Sequence, residues 1–196
     1  MTLRNAAETV TALQLVGEIL EAQRAQLSLV VIGGAALNLL GVVDRATRDV
    51  DVLAFSVSGE GRTRLVPPPE PLPTPLTEAV AAVARDLNLA PDWLNTGPAL
   101  QWRQGLPPRL EERVTWRSYG GLRVGIVGRF DLICFKLYAC ADQTGPESRH
   151  VRDLLALSPS RDELLMAADW VRGQDPSPAF AEVLSKVIGH VLSQTR

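Results

Sequence analysis

Lysine, cysteine, histidine and aromatic residues are all scarce in this chain, and each shortage excludes something. Only Lys136 and Lys186 are lysines among 20 basic residues, so nearly all the positive charge is arginine. That choice favours bidentate contacts to carboxylate or phosphate, and it is also what a GC-rich genome yields. Against the 20 bases stand 22 acids, for a net charge of −2 and a pI near 5.7. The chain as a whole therefore lacks the excess positive charge of a generic nucleic-acid coat, although local patches stay open. Its two cysteines, Cys134 and Cys140, lie six apart in an apolar stretch and match neither a CxxC redox pair nor a zinc knuckle, so buried thiols are expected. His150 and His190 have no Ser, Cys or metal-ligand partner at a diagnostic spacing and read as structural or exposed. Four tryptophans, Trp93, Trp102, Trp116 and Trp170, are scattered as core or linker anchors rather than grouped as base-stacking platforms. No apolar run approaches the ~18 residues of a membrane span, and the opening MTLRNAAETV has no signal pattern, so the expected location is the cytoplasm, away from membranes.

What is present is an ordinary globular composition: 196 residues, 46% apolar and 21% charged. Such a chain can fill one domain, or a compact domain with a helical appendage. Apolar residues at helical spacing from Asn5 to Gln26 predict an amphipathic opening helix. Ser28 to Ile32 reads as a buried strand ending at the Gly33-Gly34 turn, followed by a short helix from Ala35 to Leu40. From Asp49 to Phe55 acids alternate with apolar residues, which puts Asp49 and Asp51 on one face of a strand. The proline-rich stretch 67–75 reads as an exposed linker running from about 58 to 75, with Thr74 as N-cap and Pro75 as first residue of a helix through Asn88.

Arg113 to Tyr119, Gly120-Gly121 and Leu122 to Val127 have the form of a β-hairpin. Beyond Gly128 four helices are expected: 130–141, 149–157, one opened by the capping box Ser160 to Glu163, and 179–193. The fold class is α/β (α+β), a mixed β-sheet core over residues 1–130 flanked by helices, with a helical C-terminal part over 131–196 packed on it.

The chemistry concentrates between Val30 and Phe55. Two glycines where a strand meets a helix let backbone approach a ligand such as a triphosphate. Asp49 and Asp51, two residues apart, can jointly hold one or two Mg²⁺ ions, hard cations that take carboxylate and phosphate oxygens. Taken singly, a Gly-Gly is a turn and a DxD a solvated face. Their order, with Arg45 and Thr47 just ahead of the acids, makes the combination specific.

Gly33-Gly34 followed by Arg45-x-Thr47-x-Asp49-x-Asp51 resembles the signature of the nucleotidyltransferase superfamily, the DNA polymerase β-like fold. The closest match is the small bacterial branch that includes the abortive-infection type IV toxins. Two later segments, Asp131-Leu132-Ile133-x-x-Lys136-Leu137-x-Ala139 and Arg149-x-x-Arg152-Asp153-x-x-x-Leu157, resemble that branch's lysine and arginine–aspartate motifs. The resemblance implies that Gly33 and Gly34 contact the triphosphate with Arg45 and Thr47 beside them, that Asp49 and Asp51 bind Mg²⁺, and that Lys136 and Asp153 belong to the catalytic set. It also implies an enzyme that moves a nucleoside monophosphate from NTP to an acceptor hydroxyl on tRNA, protein or a small molecule, with a possible toxin–antitoxin setting.

One departure stands out. Many superfamily members carry a third acid on the strand equivalent to Val124-Gly125-Ile126, and this strand has none. Either Asp131 or Asp153 substitutes, or the protein is a nucleotide-binding or toxin–antitoxin module without transfer activity. Lys136 has two readings, a salt bridge with Asp153 or a role at phosphate, and Asp131 can be an N-cap or a catalytic acid. Finally, Arg103, Arg109, Arg113, Arg117, Arg123 and Arg129 crowd 101–129 against Glu111 and Glu112. If Arg113, Arg117 and Arg123 share one face of the hairpin, they form a strip suited to tRNA. Otherwise they are surface arginines balanced by acids elsewhere.

Overall fold

The computed structural model describes residues 2–59, 62–142 and 148–194. The chain divides into two compact units. One comprises Met1–Trp102 and Glu111–Val127, the other Arg103–Leu110 and Gly128–Arg196.

The first unit is built on a six-stranded mixed sheet. Its elements are α1 (Ala6–Ala22), β1 (Leu27–Ile32), α2 (Gly33–Leu39), β2 (Val50–Gly59), β3 (Arg62–Val66), α3 (Thr74–Asp86), β4 (Leu94–Asn95), β5 (Thr115–Tyr119) and β6 (Leu122–Ile126). The strand order is β3-β2-β1-β6-β5, with the short β4 added to β2. β1 runs parallel to β6 and antiparallel to β2, while β5 and β6 form the expected hairpin about Gly120-Gly121. Helix α1 buries Ala12, Leu13, Val16 and Leu20 on one stripe, as its spacing requires. Gly17 interrupts that stripe because a Cβ there would lie 1.6 Å from the Tyr119 carbonyl oxygen, and the Gly121 N–H donates to the Gly17 carbonyl at 2.9 Å.

Four expectations need correction here. The segment from 62 to 66 is strand β3, paired antiparallel with the end of β2, so among the described residues the linker begins beyond Val66, and residues 60 and 61 of the expected linker lie outside the described residues; β-branched and apolar residues pair where backbone hydrogen bonds are offered. Thr74 is the first helical residue and not the cap. The chain turns one residue earlier, and the Leu76 and Thr77 N–H groups donate to the Pro73 carbonyl at 2.9 and 3.1 Å. Helix α2 begins at Gly33, not Ala35, with Gly33 at φ +75°. Asp49 lies just before β2, so the two acids do not both belong to the strand.

Within β2 the register against β1 shifts between Val30 and Val31, leaving Leu53 as an extra residue between Val52 and Ala54. Such a bulge re-aims side chains, and its carbonyl needs another partner. Trp102 supplies one, its Nε1–H donating to the Leu53 carbonyl at 2.8 Å.

The second unit is helical: α4 (Arg129–Asp142), α5 (Arg149–Ala156), α6 (Arg161–Arg172) and α7 (Pro178–Gln194). α6 opens with the predicted capping box, the Ser160 side chain accepting from the Glu163 N–H at 3.1 Å while Glu163 accepts from the Ser160 N–H at 2.9 Å. Phe135, Tyr138, Trp170 and Phe180 pack edge-on or tilted at 5.5 to 6.4 Å. Both cysteines are buried and neither is in a disulfide, and burial pushes the Cys140 thiol up to about 12. Among the described residues no helix is long and apolar enough to cross a membrane.

Candidate active site

β1 ends at Ile32, and at Gly33 the chain turns sharply from strand into helix beside a carboxylate. At φ +75° an L side chain is strained, and a Cβ at Gly33 would sit 2.3 Å from Asp51 Oδ2. Gly34 lies against the other half of the motif: a Cβ there would be 2.7 Å from the Thr47 hydroxyl and 3.6 Å from Arg45 Nη2. The first turn of α2 thus rests on the segment Arg45 to Asp51. Residues far apart in sequence, Gly33 and Gly34 on one side and Arg45, Thr47 and Asp51 on the other, become neighbours.

That segment is held rigidly. Thr47 is buried, exchanges backbone hydrogen bonds with Leu3 at 2.8 and 3.0 Å, and donates its hydroxyl to the Asp49 carbonyl at 3.2 Å. Its hydroxyl therefore fixes the backbone that carries Asp49. Buried Asn38, on α2, donates to the Arg45 carbonyl at 2.8 Å, and the Arg45 guanidinium bonds the Ala46 carbonyl at 3.0 Å. Asp49 and Asp51 are both half-buried.

Sequence reasoning missed Asn95. It lies opposite Asp51 in the parallel β2–β4 pairing, and its Nδ2 donates to Asp51 Oδ1 at 3.2 Å. The stretch from Phe55 to Val114 contains no motif, and the only local sign is the Asn-Thr-Gly turn sequence itself, which names no partner 44 residues away.

In the helical unit, Lys136 and Asp153 are each other's partners. Lys136 Nζ lies 2.7 Å from Asp153 Oδ2, with side chains 8% and 2% exposed, and the salt-bridge reading of Lys136 is the arrangement found. Asp131 is the third residue of α4 and fully buried, so it is not an N-cap; the helix opens two residues earlier, at Arg129.

The arginine strip is also corrected. A two-residue turn pairs Tyr119 with Leu122, Ser118 with Arg123 and Arg117 with Val124, so Arg123 points to the face opposite Arg117. Arg123 stacks 4.3 Å over the Trp116 ring, Arg117 donates to the Leu39 carbonyl at the end of α2 at 2.7 Å, and Arg113 lies in a 3-10 turn (Leu110–Arg113) before the strand. Arg129 donates to the Leu157 carbonyl at 3.0 Å and pairs with Glu163 inside the helical unit. No shared basic face forms on the hairpin.

The donor set fits a hard cation. Among the described residues no group of three or more His, Cys, Asp or Glu side chains is placed to hold a metal, so any site here would rest on two carboxylates completed by phosphate and water oxygens. Mg²⁺ is commonly bound by one or two carboxylates plus phosphate oxygens and water, and the cradle that a Cβ at Gly33 would fill lies against Asp51.

A mixed sheet flanked by helices, with a Gly-Gly turn seated on an Arg-x-Thr-x-Asp-x-Asp segment, defines a nucleotidyltransferase-like α+β protein. The family model described as "Nucleotidyltransferase of unknown function" (DUF6036) matches residues 10–146, and the chain belongs to that family. No curated protein and no solved structure matches it.

Proposed function

We propose that the chain moves a nucleoside monophosphate from an NTP to an acceptor hydroxyl, with Asp49 and Asp51 as Mg²⁺ ligands and Gly33 and Gly34 as the surface along which the triphosphate lies. The observation that carries this reading is the seating of the glycine pair on Asp51, Thr47 and Arg45. Any side chain at Gly33 would occupy the space beside Oδ2, so the site keeps a carboxylate and bare backbone together. Mg²⁺, when bound, would neutralise phosphate charge during transfer. Thr47 and Asn38 fix the backbone of the acidic segment, and Arg45 adds positive charge next to Gly34. In the transfer the acceptor oxygen bonds the α-phosphorus, the bond to pyrophosphate breaks, and the hydroxyl proton leaves to a base.

A second reading, a nucleotide-binding module without transfer, is favoured by one observation: β6, LRVGI, offers no carboxylate. Of the two substitutes, Asp153 is paired with Lys136 at 2.7 Å and Asp131 is wholly buried. The abortive-infection toxin branch would assign Lys136 and Asp153 to catalysis, and a cytoplasmic enzyme acting on tRNA or protein would follow from it. With the hairpin arginines divided between two faces, charge gives no preference for tRNA over a protein or small molecule.

Incubating the protein with each α-labelled NTP, Mg²⁺ and total RNA or a lysate fraction tests both readings. A labelled macromolecule that disappears with Asp49→Asn/Asp51→Asn supports transfer. Mg²⁺-dependent nucleotide binding without label supports the module. Neither binding nor label rejects the site.

A further inference from the structure

We infer that Asn95 is a positioning residue for Asp51, holding one carboxylate oxygen so that the other stays aimed at the space beside Gly33. The inference rests on the reading of Asp51 as a metal ligand and assigns this chain a residue outside the motif that the reading uses.

The amide cannot turn over without losing a bond. Asn95 Oδ1 accepts from the Gly97 N–H at 2.9 Å, so the NH₂ end is the one that meets Asp51 Oδ1, at 3.2 Å. Oδ2, the second oxygen of the carboxylate, is the atom that a Cβ at Gly33 would meet at 2.3 Å. One carboxylate oxygen is thus held by an amide and the other lies at the bare backbone of the glycine turn.

The support behind Asn95 is rigid. β4 consists of Leu94 and Asn95 alone, and its parallel register puts Asn95 directly beside Asp51. Trp93, just ahead of it, is fully buried, donates its Nε1–H to the Val80 carbonyl at 3.1 Å, and accepts the Val50 N–H at 2.6 Å. A two-residue strand adds little ladder energy. What it does is deliver one polar side chain to the acid at the start of β2. Partners that orient a ligating carboxylate typically matter by 10- to 100-fold in metal affinity.

A structural alternative is that Asn95 serves only its own turn, through Gly97. Aspartate at this position keeps the acceptor for Gly97 and loses the donor to Asp51, which separates the two roles. The probe is Mn²⁺ alone, titrated into the full-length chain by electron paramagnetic resonance, with melting temperatures measured with and without the ion. Asp51→Asn should abolish the bound-Mn²⁺ signal, and Asn95→Leu should weaken Mn²⁺ binding by about 10-fold. Asn95→Asp should melt lower than wild type without metal, because two carboxylates then face each other, and should gain more than wild type on adding Mn²⁺. If Asp51→Asn loses Mn²⁺ while Asn95→Leu and Asn95→Asp both match wild type, the positioning role is overturned and the metal reading stands. If Asp51→Asn binds Mn²⁺ like wild type, the metal reading fails and takes this inference with it. Should Asn95→Leu not fold, the Mn²⁺ response of Asn95→Asp decides.

Discussion

The sheet unit and the helical unit handle charge in opposite ways. In the helical unit a cation and an anion, Lys136 and Asp153, are buried together at 2.7 Å and neutralise one another. In the sheet unit two acids two residues apart, Asp49 and Asp51, are both left half-buried. A buried, mutually satisfied pair is what a fold needs to tolerate charge in its interior. Two like charges so close in the chain add nothing to stability by themselves, and under the proposed function a cation would be held by them. The contrast teaches that the Lys136 and Asp153 charges are accounted for by burial together, whereas Asp49 and Asp51, less buried, are the acids that the proposed function uses.

The largest effect should come from breaking the buried pair. Lys136→Met removes the cation 2.7 Å from the buried Asp153 carboxylate and should cost about 3–5 kcal/mol in denaturant unfolding. The double variant Lys136→Met/Asp153→Leu should recover most of that loss. If the double variant also keeps nucleotidyl transfer, neither residue is catalytic; if it folds and loses transfer, the toxin-like assignment gains its support.

Next comes the glycine pair, where a control is available in the same unit. Gly33 and Gly41 have similar positive φ, +75° and +71°, yet a Cβ at Gly41 would meet nothing within 4 Å. Both alanine variants should lose about 1 kcal/mol to backbone strain, and Gly33→Ala should lose more because its Cβ displaces Asp51. Only Gly33→Ala should also weaken Mg²⁺-dependent nucleotide binding in calorimetry. Equal behaviour of the two would remove Gly33 from the site.

The acids themselves should matter little for stability. Asp49→Asn/Asp51→Asn should melt within a few degrees of wild type, or slightly higher as their repulsion is relieved, while Mg²⁺-dependent nucleotide binding disappears. A large loss of stability would place these acids with the structural charges.

The smallest effect concerns pH. The Arg129 guanidinium, with help from the Ser160 N–H, holds the Glu163 carboxyl below the usual carboxylate range. A folded-state pKa below the unfolded one stabilises above the ordinary carboxylate range, and the benefit fades as pH falls through the lowered value. Both partners are partly exposed, 42% and 27%, so the contribution should be no more than about 1 kcal/mol. The melting-temperature gap between wild type and Glu163→Gln should be largest near pH 6 and shrink below pH 4.

Much of the molecule was written in short spacings. The GG turn between β5 and β6, the Ser160–Glu163 box and the stripe on α1 each depend on residues within a turn or two of one another. The same is true of Arg117 and Arg123: a two-residue turn fixes the pairing, and counting outward from Gly120-Gly121 already sends them to opposite faces. Thr74 failed as a cap for a different reason, since Pro73 and Thr74 offer the chain two adjacent places to turn and local pattern does not choose between them.

By itself the sequence determined the fold class, the glycine turn, the acidic segment and most helices, because those follow from side-chain period, backbone freedom and charge over a few residues. Only the tertiary structure decided what those residues meet. The seating of Gly33 on Asp51 needs β1 beside β2, the Asn95 bond spans 44 positions and needs β4 beside β2, and the Lys136–Asp153 pair needs α4 against α5. Such contacts depend on how elements pack across the fold, and packing is set by the whole chain's burial of apolar surface rather than by any local run of residues.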